Sequence, residues 1–316
     1  MRRPLPALLA ALTLTSLHGC AHPSDRPTET LRIGYQKWGT FSILKASGEL
    51  AKALRPKGIK VEWTEFPAGP PLLEALNAGS IDLGHTGDSP PLFAQAADIP
   101  FVYFAASSSS PESSAILVKR ESSIQRPSDL RGRRVGFAKG TSAHTLVLRY
   151  LDKNGLPLSE ITPMYLPPAD GREALETGSI DAWSIWDPYL AAAEEGGNYR
   201  ELTSGKGYVD GREFYLASRR IAQNRPQLLQ EFLSELEHIK GWARARPDEV
   251  NRFLAAETGI ALRAIAVAEA RRDRYDTQPV NMELIASQQS LADRYLELGL
   301  LPKRIDVKAA VFESAQ

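Results

Sequence analysis

Hydrophobic positions along this chain keep two rhythms. Short runs at 31–35, 115–118, Arg134–Phe137 and 214–217 are dense in β-branched and aromatic residues and predict strands. Elsewhere apolar positions recur at helical spacing, as at Leu146, Leu148 and Leu151. From about residue 225 the helical rhythm takes over. Leu228, Leu229, Phe232, Leu233 and Leu236 follow it, and 248–273 and 280–299 continue it. Strands alternating with helices argue for an α/β fold built on a mostly parallel sheet covered on both faces.

Two stretches of this pattern nearly repeat. Glu74-Ala75-Leu76-Asn77-Ala78-Gly79-Ser80-Ile81-Asp82 returns as Glu173-Ala174-Leu175-Glu176-Thr177-Gly178-Ser179-Ile180-Asp181, an offset of 99 residues. Upstream, Arg32-Ile33-Gly34-Tyr35-Gln36-Lys37 resembles Arg134-Val135-Gly136-Phe137-Ala138-Lys139 at an offset of 102. In both copies a further aspartate, Asp88 or Asp187, follows the Ser-Ile-Asp segment by six positions. A period near one hundred is too long for a solenoid and implies two similar lobes. In each copy a helix ends at a glycine suited to the left-handed position, Gly79 or Gly178. The apolar strands at 115–118 and 214–217 read as the two crossings between lobes. This gives one lobe from 31–114 plus 216–316 and a second from 115–215, with the helical tail packing back on the first.

The start of the chain stands apart. Arg2 and Arg3 precede an apolar stretch at 5–17 that is too short to span a bilayer, the pattern of an export signal over 1–20. It ends at Leu17-His18-Gly19-Cys20, which resembles the bacterial lipobox, where the cysteine is lipidated and becomes the mature N-terminus. Ordinary signal cleavage nearby is the alternative. Residues 21–30 are polar and carry prolines, and suit a flexible tether. The expected location is the periplasm or cell envelope, with a lipid anchor at Cys20 the one attachment to membrane. Cys20 is the only cysteine, so the folded body is expected to hold no disulfide, no thiolate nucleophile and no cysteine-based metal site.

Charge narrows the partners. Lys plus Arg and Asp plus Glu number 38 each, so no global field recruits nucleic acid or an anionic membrane. Any anion must be held by local dipoles and a few side chains. Gly140-Thr141-Ser142-Ala143-His144 precedes a helical stretch and places backbone N–H groups and hydroxyls at a helix start, a ready anion site. A sulfonate fits such a site well, because its oxygens only accept and its charge does not titrate. The competing reading is that Thr141 or Ser142 caps the helix. In the first copy Gln36, Gly39 and Thr40 occupy the matching turn, with Lys37 and Trp38 as rim residues. Thr86 and Gly87 are candidate contacts. Asp88 and Asp187 are candidates with two readings, ligand contact or helix cap, since a carboxylate repels a sulfonate and Asp before Pro188 marks a helix start. Trp186 either packs in the core or covers an alkyl chain, and Trp183 reads as core. His85 and His144 lack metal-ligand spacing, so no metal and no cofactor is assigned. No nucleophile has a neighbouring base at motif spacing, which argues against an enzyme.

Taken in order, Tyr35-Gln36-Lys37, Phe66-Pro67-Ala68-Gly69-Pro70, Gly79-Ser80-Ile81-Asp82, Thr86-Gly87-Asp88, Gly140-Thr141-Ser142-Ala143-His144 and Trp186-Asp187-Pro188-Tyr189 resemble the aliphatic-sulfonate-binding proteins of bacterial ABC transporters. The likeness runs from about residue 31 to 312 and departs from the family pattern at Trp38 and Ala143. It implies a type II periplasmic-binding-protein fold, two similar α/β lobes on a two-crossing hinge that closes about its ligand. It also implies a monomer that captures an alkanesulfonate, with an ABC permease and ATPase as partners. Taurine, nitrate or a thiamine-precursor pyrimidine on the same fold, a desulfinase-like enzyme and a sensor component are the alternatives.

Overall fold

The computed structural model describes residues 29–272 and 275–312. The expected export signal over 1–20 with Cys20, and residues 21–28 of the expected tether, lie outside the described residues. Glu29 and Thr30, expected to end the tether, already belong to the first strand.

In chain order the first body contains β1 (Glu29–Gln36), α1 (Thr40–Ser47), α2 (Glu49–Leu54), β2 (Ile59–Phe66), α3 (Gly69–Asn77), β3 (Leu83–Thr86), α4 (Ser89–Ala96) and β4 (Phe101–Ser107). The chain then builds β5 (Ser114–Lys119), β6 (Arg134–Phe137), α5 (Ser142–Lys153), β7 (Thr162–Tyr165), α6 (Pro168–Thr177), β8 (Ala182–Trp186), α7 (Tyr189–Glu195) and β9 (Tyr199–Ser204). It returns through β10 (Phe214–Ser218), α8 (Arg219–Asn224), α9 (Pro226–Ala245), α10 (Pro247–Thr258), α11 (Leu262–Arg271), β11 (Thr277–Gln278) and α12 (Met282–Glu297).

These strands form two sheets, in the orders β11-β4-β10-β3-β1-β2 and β7-β6-β8-β5-β9. Both are mixed rather than mostly parallel. β1, β2 and β3 run parallel, as do β6, β7 and β8, whereas β10 and β5 are antiparallel to both their neighbours. Parallel neighbours need a crossover helix. β5 and β10 arrive straight from the other body without one, and so enter reversed. They are therefore interior strands, not the crossings expected at 115–118 and 214–217. The chain passes between bodies at 108–113 and 205–213.

Burial on both faces follows the two-residue period of these interior strands. In β5, Ala115 and Leu117 pack with Leu175 and Trp183, while Ile116 and Val118 pack with Phe137 and Leu146. In β10, Tyr215 and Ala217 face Phe41 and Phe232, while Phe214 and Leu216 face Tyr103 and Tyr295. The helical tail covers the first sheet, since Phe232, Leu236, Ile239 and Leu254 bury against Leu31 and Ile33.

The duplicated motifs pack on each other inside each body. Asp82 accepts from the Arg32 backbone N–H (3.0 Å) and guanidinium (3.2 Å), and Asp181 does the same for Arg134 (2.8 and 3.1 Å). Two residues further along each strand, a Cβ on Gly34 would lie 2.6 Å from Ile81 Cδ1, and one on Gly136 would lie 2.5 Å from Ile180 Cδ1. The glycine of one motif thus makes room for the isoleucine of the other. Gly79 and Gly178 take φ of 71° and 78°, the left-handed conformation expected of them.

Candidate anion-binding site

Four helix starts gather where the two bodies meet, and they divide into two kinds. α1 begins after Gly39 and α5 after Thr141, and neither has a side-chain cap. The Thr141 hydroxyl donates instead to the Ala138 carbonyl (2.7 Å), so the capping reading fails for this residue. The first N–H groups of α1 and α5 have no side-chain acceptor and carry the positive end of each helix dipole. α4 and α7, by contrast, supply their own anion. Asp88 Oδ1 accepts from Ser89 N (2.8 Å), and Asp187 Oδ1 accepts from Ala191 N (3.0 Å).

The uncapped starts open on a cavity of about 90 Å³ between the bodies. Of the residues singled out in the sequence, Gln36, Thr40, Thr86, Gly87, Thr141, Ser142, Trp186 and Asp187 line it. Gly39, Asp88, Gly140 and His144 do not. Gly39, at φ 116°, starts α1 against Glu213 and His85, where a Cβ would come within 3.1 Å of Glu213 Oε1. Gly140, at φ 69°, lies against the Phe93 ring of the first body. His144 is a buried residue of α5, stacks on Phe137 and accepts the Gly140 N–H on Nδ1 (3.3 Å), so Nε2 carries its proton. Burial, with Lys139 nearby, pushes its pKa down to about 4. Asp88 faces a groove behind the cavity, lined also by Thr145 and Gln288.

Several side chains differ from their sequence reading. Trp38 is buried rather than a rim residue, with its backbone at φ 85°, a strained conformation for a bulky side chain. Gln36 uses its amide N–H on the His85 carbonyl (3.0 Å) while its backbone N–H donates to His85 Nε2 (3.2 Å). Burial lowers the His85 pKa and keeps the ring neutral, with the proton on Nδ1 facing Glu213 at 3.5 Å. Trp183 is core, buried at 1% exposure, whereas Trp186 is half-open to the cavity. Asp187 is buried, pairs with Arg271 (3.3 Å) and has its carboxyl pushed up to about 7, because the cost of burial outweighs the nearby guanidinium.

The strongest charge in the site comes from a residue the periodicity gave no reason to choose. Arg272 follows the last residue of α11 and is buried against the cavity. Its Nη2 donates to Thr40 Oγ1 (2.7 Å), and its guanidinium lies 4.9 Å from the ring centres of both Trp38 and Tyr275. Glu213 and Glu269 each stand 3.7 Å away. An arginine cannot shed its proton, so a permanent cation sits beside the start of α1. Arg212 and the serines at 107, 108, 110, 113 and 114 also line the cavity from the two crossings. The run Ser107-Ser108-Ser109-Ser110 directly after an apolar strand was a readable signal for them. Among the described residues no group of three or more His, Cys, Asp or Glu could hold a metal ion, and no helix is long and apolar enough to cross a membrane.

Residues 55–250 match the family described as NMT1/THI5 like. The chain is 40% identical over 316 residues to an aliphatic sulfonates-binding protein of Escherichia coli K12, covering 100% of this chain and 98% of that one. Among solved structures, the alkanesulfonate-binding protein SsuA from Xanthomonas axonopodis pv. citri, bound to MOPS, superposes with a TM-score of 0.86 at 40% identity. That match covers 90% of this chain and 98% of the other. The periplasmic aliphatic sulphonate binding protein SsuA from Escherichia coli gives 0.83 at 41% identity, covering 91% and 93%. The two mixed sheets are therefore those of a periplasmic binding protein.

Proposed function

This chain belongs to the NMT1/THI5-like family and stands among its aliphatic-sulfonate-binding members, and from that premise we propose that it captures a small aliphatic sulfonate outside the cytoplasm for an ABC importer. The observation that carries this reading is the convergence of two uncapped helix starts, one from each body, with buried Arg272 on one cavity. Backbone N–H groups of α1 and α5 and the hydroxyl of Ser142 offer donors to three acceptor oxygens, while the Thr141 hydroxyl is already spent on the Ala138 carbonyl. Trp38 and Trp186 provide apolar wall for the alkyl part, and a volume of about 90 Å³ favours a head group with a short chain.

The protein acts by binding and release. Nothing in the site needs to react: the ligand is held by preorganised dipoles, then freed when the bodies part. The two lobes expected at 31–114 plus 216–316 and at 115–215 shift by a few residues, to 29–107 plus 214–312 and 114–204, hinged at the two crossings. We further propose that the exported chain works as a monomer, that Cys20 is acylated, and that a permease and ATPase receive the closed form. Mass spectrometry of the mature protein tests the anchor, with a diacylglyceryl mass on Cys20 expected.

The ligand is tested by thermal shift with ethanesulfonate, hexanesulfonate, taurine and nitrate. Ethanesulfonate is expected to raise Tm most. Taurine's ammonium would need a free carboxylate, and Asp187 is engaged by Arg271 and the α7 N–H. Stabilisation by nitrate alone would overturn the sulfonate reading.

A further inference from the structure

Asp88 is a half-buried carboxylate that does not line the cavity, and it is placed where the two bodies touch. Its Oδ1 takes Ser89 N (2.8 Å) and Ser89 Oγ (3.4 Å) from its own helix, and Thr145 Oγ1 (3.2 Å) from α5 of the other body. Ser89 Oγ, Thr145 Oγ1 and Tyr295 Oη close into a hydroxyl cluster around it, with Tyr295 at 2.6 Å from Ser89 and 3.0 Å from Thr145. From α12, Gln288 donates to the Asp88 carbonyl (2.8 Å) and reaches the Tyr103 hydroxyl of β4 (3.4 Å). Arg149, Arg212, Asp152 and Asp210 line the same groove. Among the described residues no cation forms an ion pair with Asp88. Asp187, its duplicate, has Arg271.

The neighbouring residue makes this matter. Gly87 lines the cavity, and a Cβ there would lie 2.9 Å from Ser142 Oγ, at the uncapped start of α5. Thr145 lies one turn further along that same helix. A sulfonate seated at Ser142 therefore brings a second negative charge near Asp88 as the approach of α5 removes water. Two anions in a poorly solvated space cannot both stay charged cheaply, and the sulfonate cannot take a proton. Asp88 can, and once protonated it still has hydroxyl oxygens to donate to.

We propose that Asp88 takes up a proton when the two bodies close on the anion, so that sulfonate capture and proton binding are linked. This rests on the functional reading above. Burial pushes the Asp88 carboxyl up to about 6, from an ordinary value near 3.8, which agrees in direction. The sign follows. The bound form holds the proton more tightly, so affinity is greatest at low pH, declines as pH rises through the carboxyl's free and bound values and is flat once the bound form has lost its proton. From pH 5 to pH 7 the expected loss of affinity is about tenfold.

Isothermal titration with ethanesulfonate at pH 5, in acetate and in piperazine, reads the proton directly through the different ionisation heats. Sulfonate buffers are avoided because they are ligand analogues. Most of one proton is expected to enter per ethanesulfonate bound, with none in Asp88→Asn, whose affinity should not vary from pH 5 to pH 7. Thr145→Val removes a donor to the carboxylate, so its linked pH window should move upward, which a purely structural role would not produce. Equal heats in both buffers for the wild type, or uptake that persists in Asp88→Asn, would overturn the proposal and point to Asp187 or the buried histidines. No binding of ethanesulfonate by the wild type at any pH would overturn the functional reading itself, and the linkage with it.

Discussion

The two copies of the duplicated unit agree in their scaffold and differ where they meet the cleft. Arg32 with Asp82 and Arg134 with Asp181 form the same clamp, and Gly34 with Ile81 and Gly136 with Ile180 form the same close packing. At the cleft, the first copy brings Arg272 against Thr40 and leaves Asp88 among hydroxyls. The second offers Thr141 and Ser142 and ties Asp187 to Arg271. Internal packing tolerates little change because its parts must fit one another. Helix starts at the cleft have only the ligand and the facing body to satisfy, so there the copies diverged.

The sharpest way to break the likeness is through the clamps. Asp82 is buried, at 1% side-chain exposure, and also holds Arg220 (2.6 Å), whereas Asp181 is 24% exposed and holds Arg134 alone. Asp82→Asn is expected to cost about 1–3 kcal/mol of folding stability, since the carboxylate is buried while both guanidiniums reach solvent. Asp181→Asn should cost only about 1 kcal/mol. Urea denaturation of both variants checks this, and equal losses would mean that burial does not separate the copies.

The glycines come next. A Cβ on Gly34 also meets Leu72 and Phe66 at 3.1 Å, while Gly136 meets only the flexible tip of Ile180 closely. Gly34→Ala should lose about 1–3 kcal/mol by overpacking, and Gly136→Ala distinctly less. Adding Ile180→Val should recover most of the second loss, which thermal melts of the double variant would reveal.

At the cleft, Ser142→Pro removes the N–H donor at the first position of α5 without disturbing the helix, since proline is tolerated there. The Ser142 hydroxyl goes with it, so ethanesulfonate affinity should fall at least about tenfold, the value of one or two lost hydrogen bonds to a charged group. Full affinity in the folded variant would move the anion away from the second copy. The smallest expected effect is in acid. Arg134 and the backbone hold the Asp181 carboxyl below the usual range, so its stabilisation is present above pH 4 and lost as pH falls through the lowered value. Asp181→Asn should therefore show a shallower loss of Tm below pH 4 than the wild type.

The sequence by itself determined the α/β class, the duplication and a helix start at Gly140-Thr141-Ser142, though not that this start is uncapped, because strand and helix periods, glycine at helix ends and repeated motifs are local signals. It also posed the question of Asp88 and Asp187, whose caps were legible from their position before a helix. Only the tertiary structure decided that β5 and β10 are interior strands, because their direction depends on which body the chain has come from. It alone showed that Trp38 is buried and that Arg272 lines the cavity between the bodies. Arg272 reaches Thr40 across 232 residues of chain. No local pattern records such a contact, since it exists only once the helical tail has folded back over the first sheet and carried the charge to the cleft.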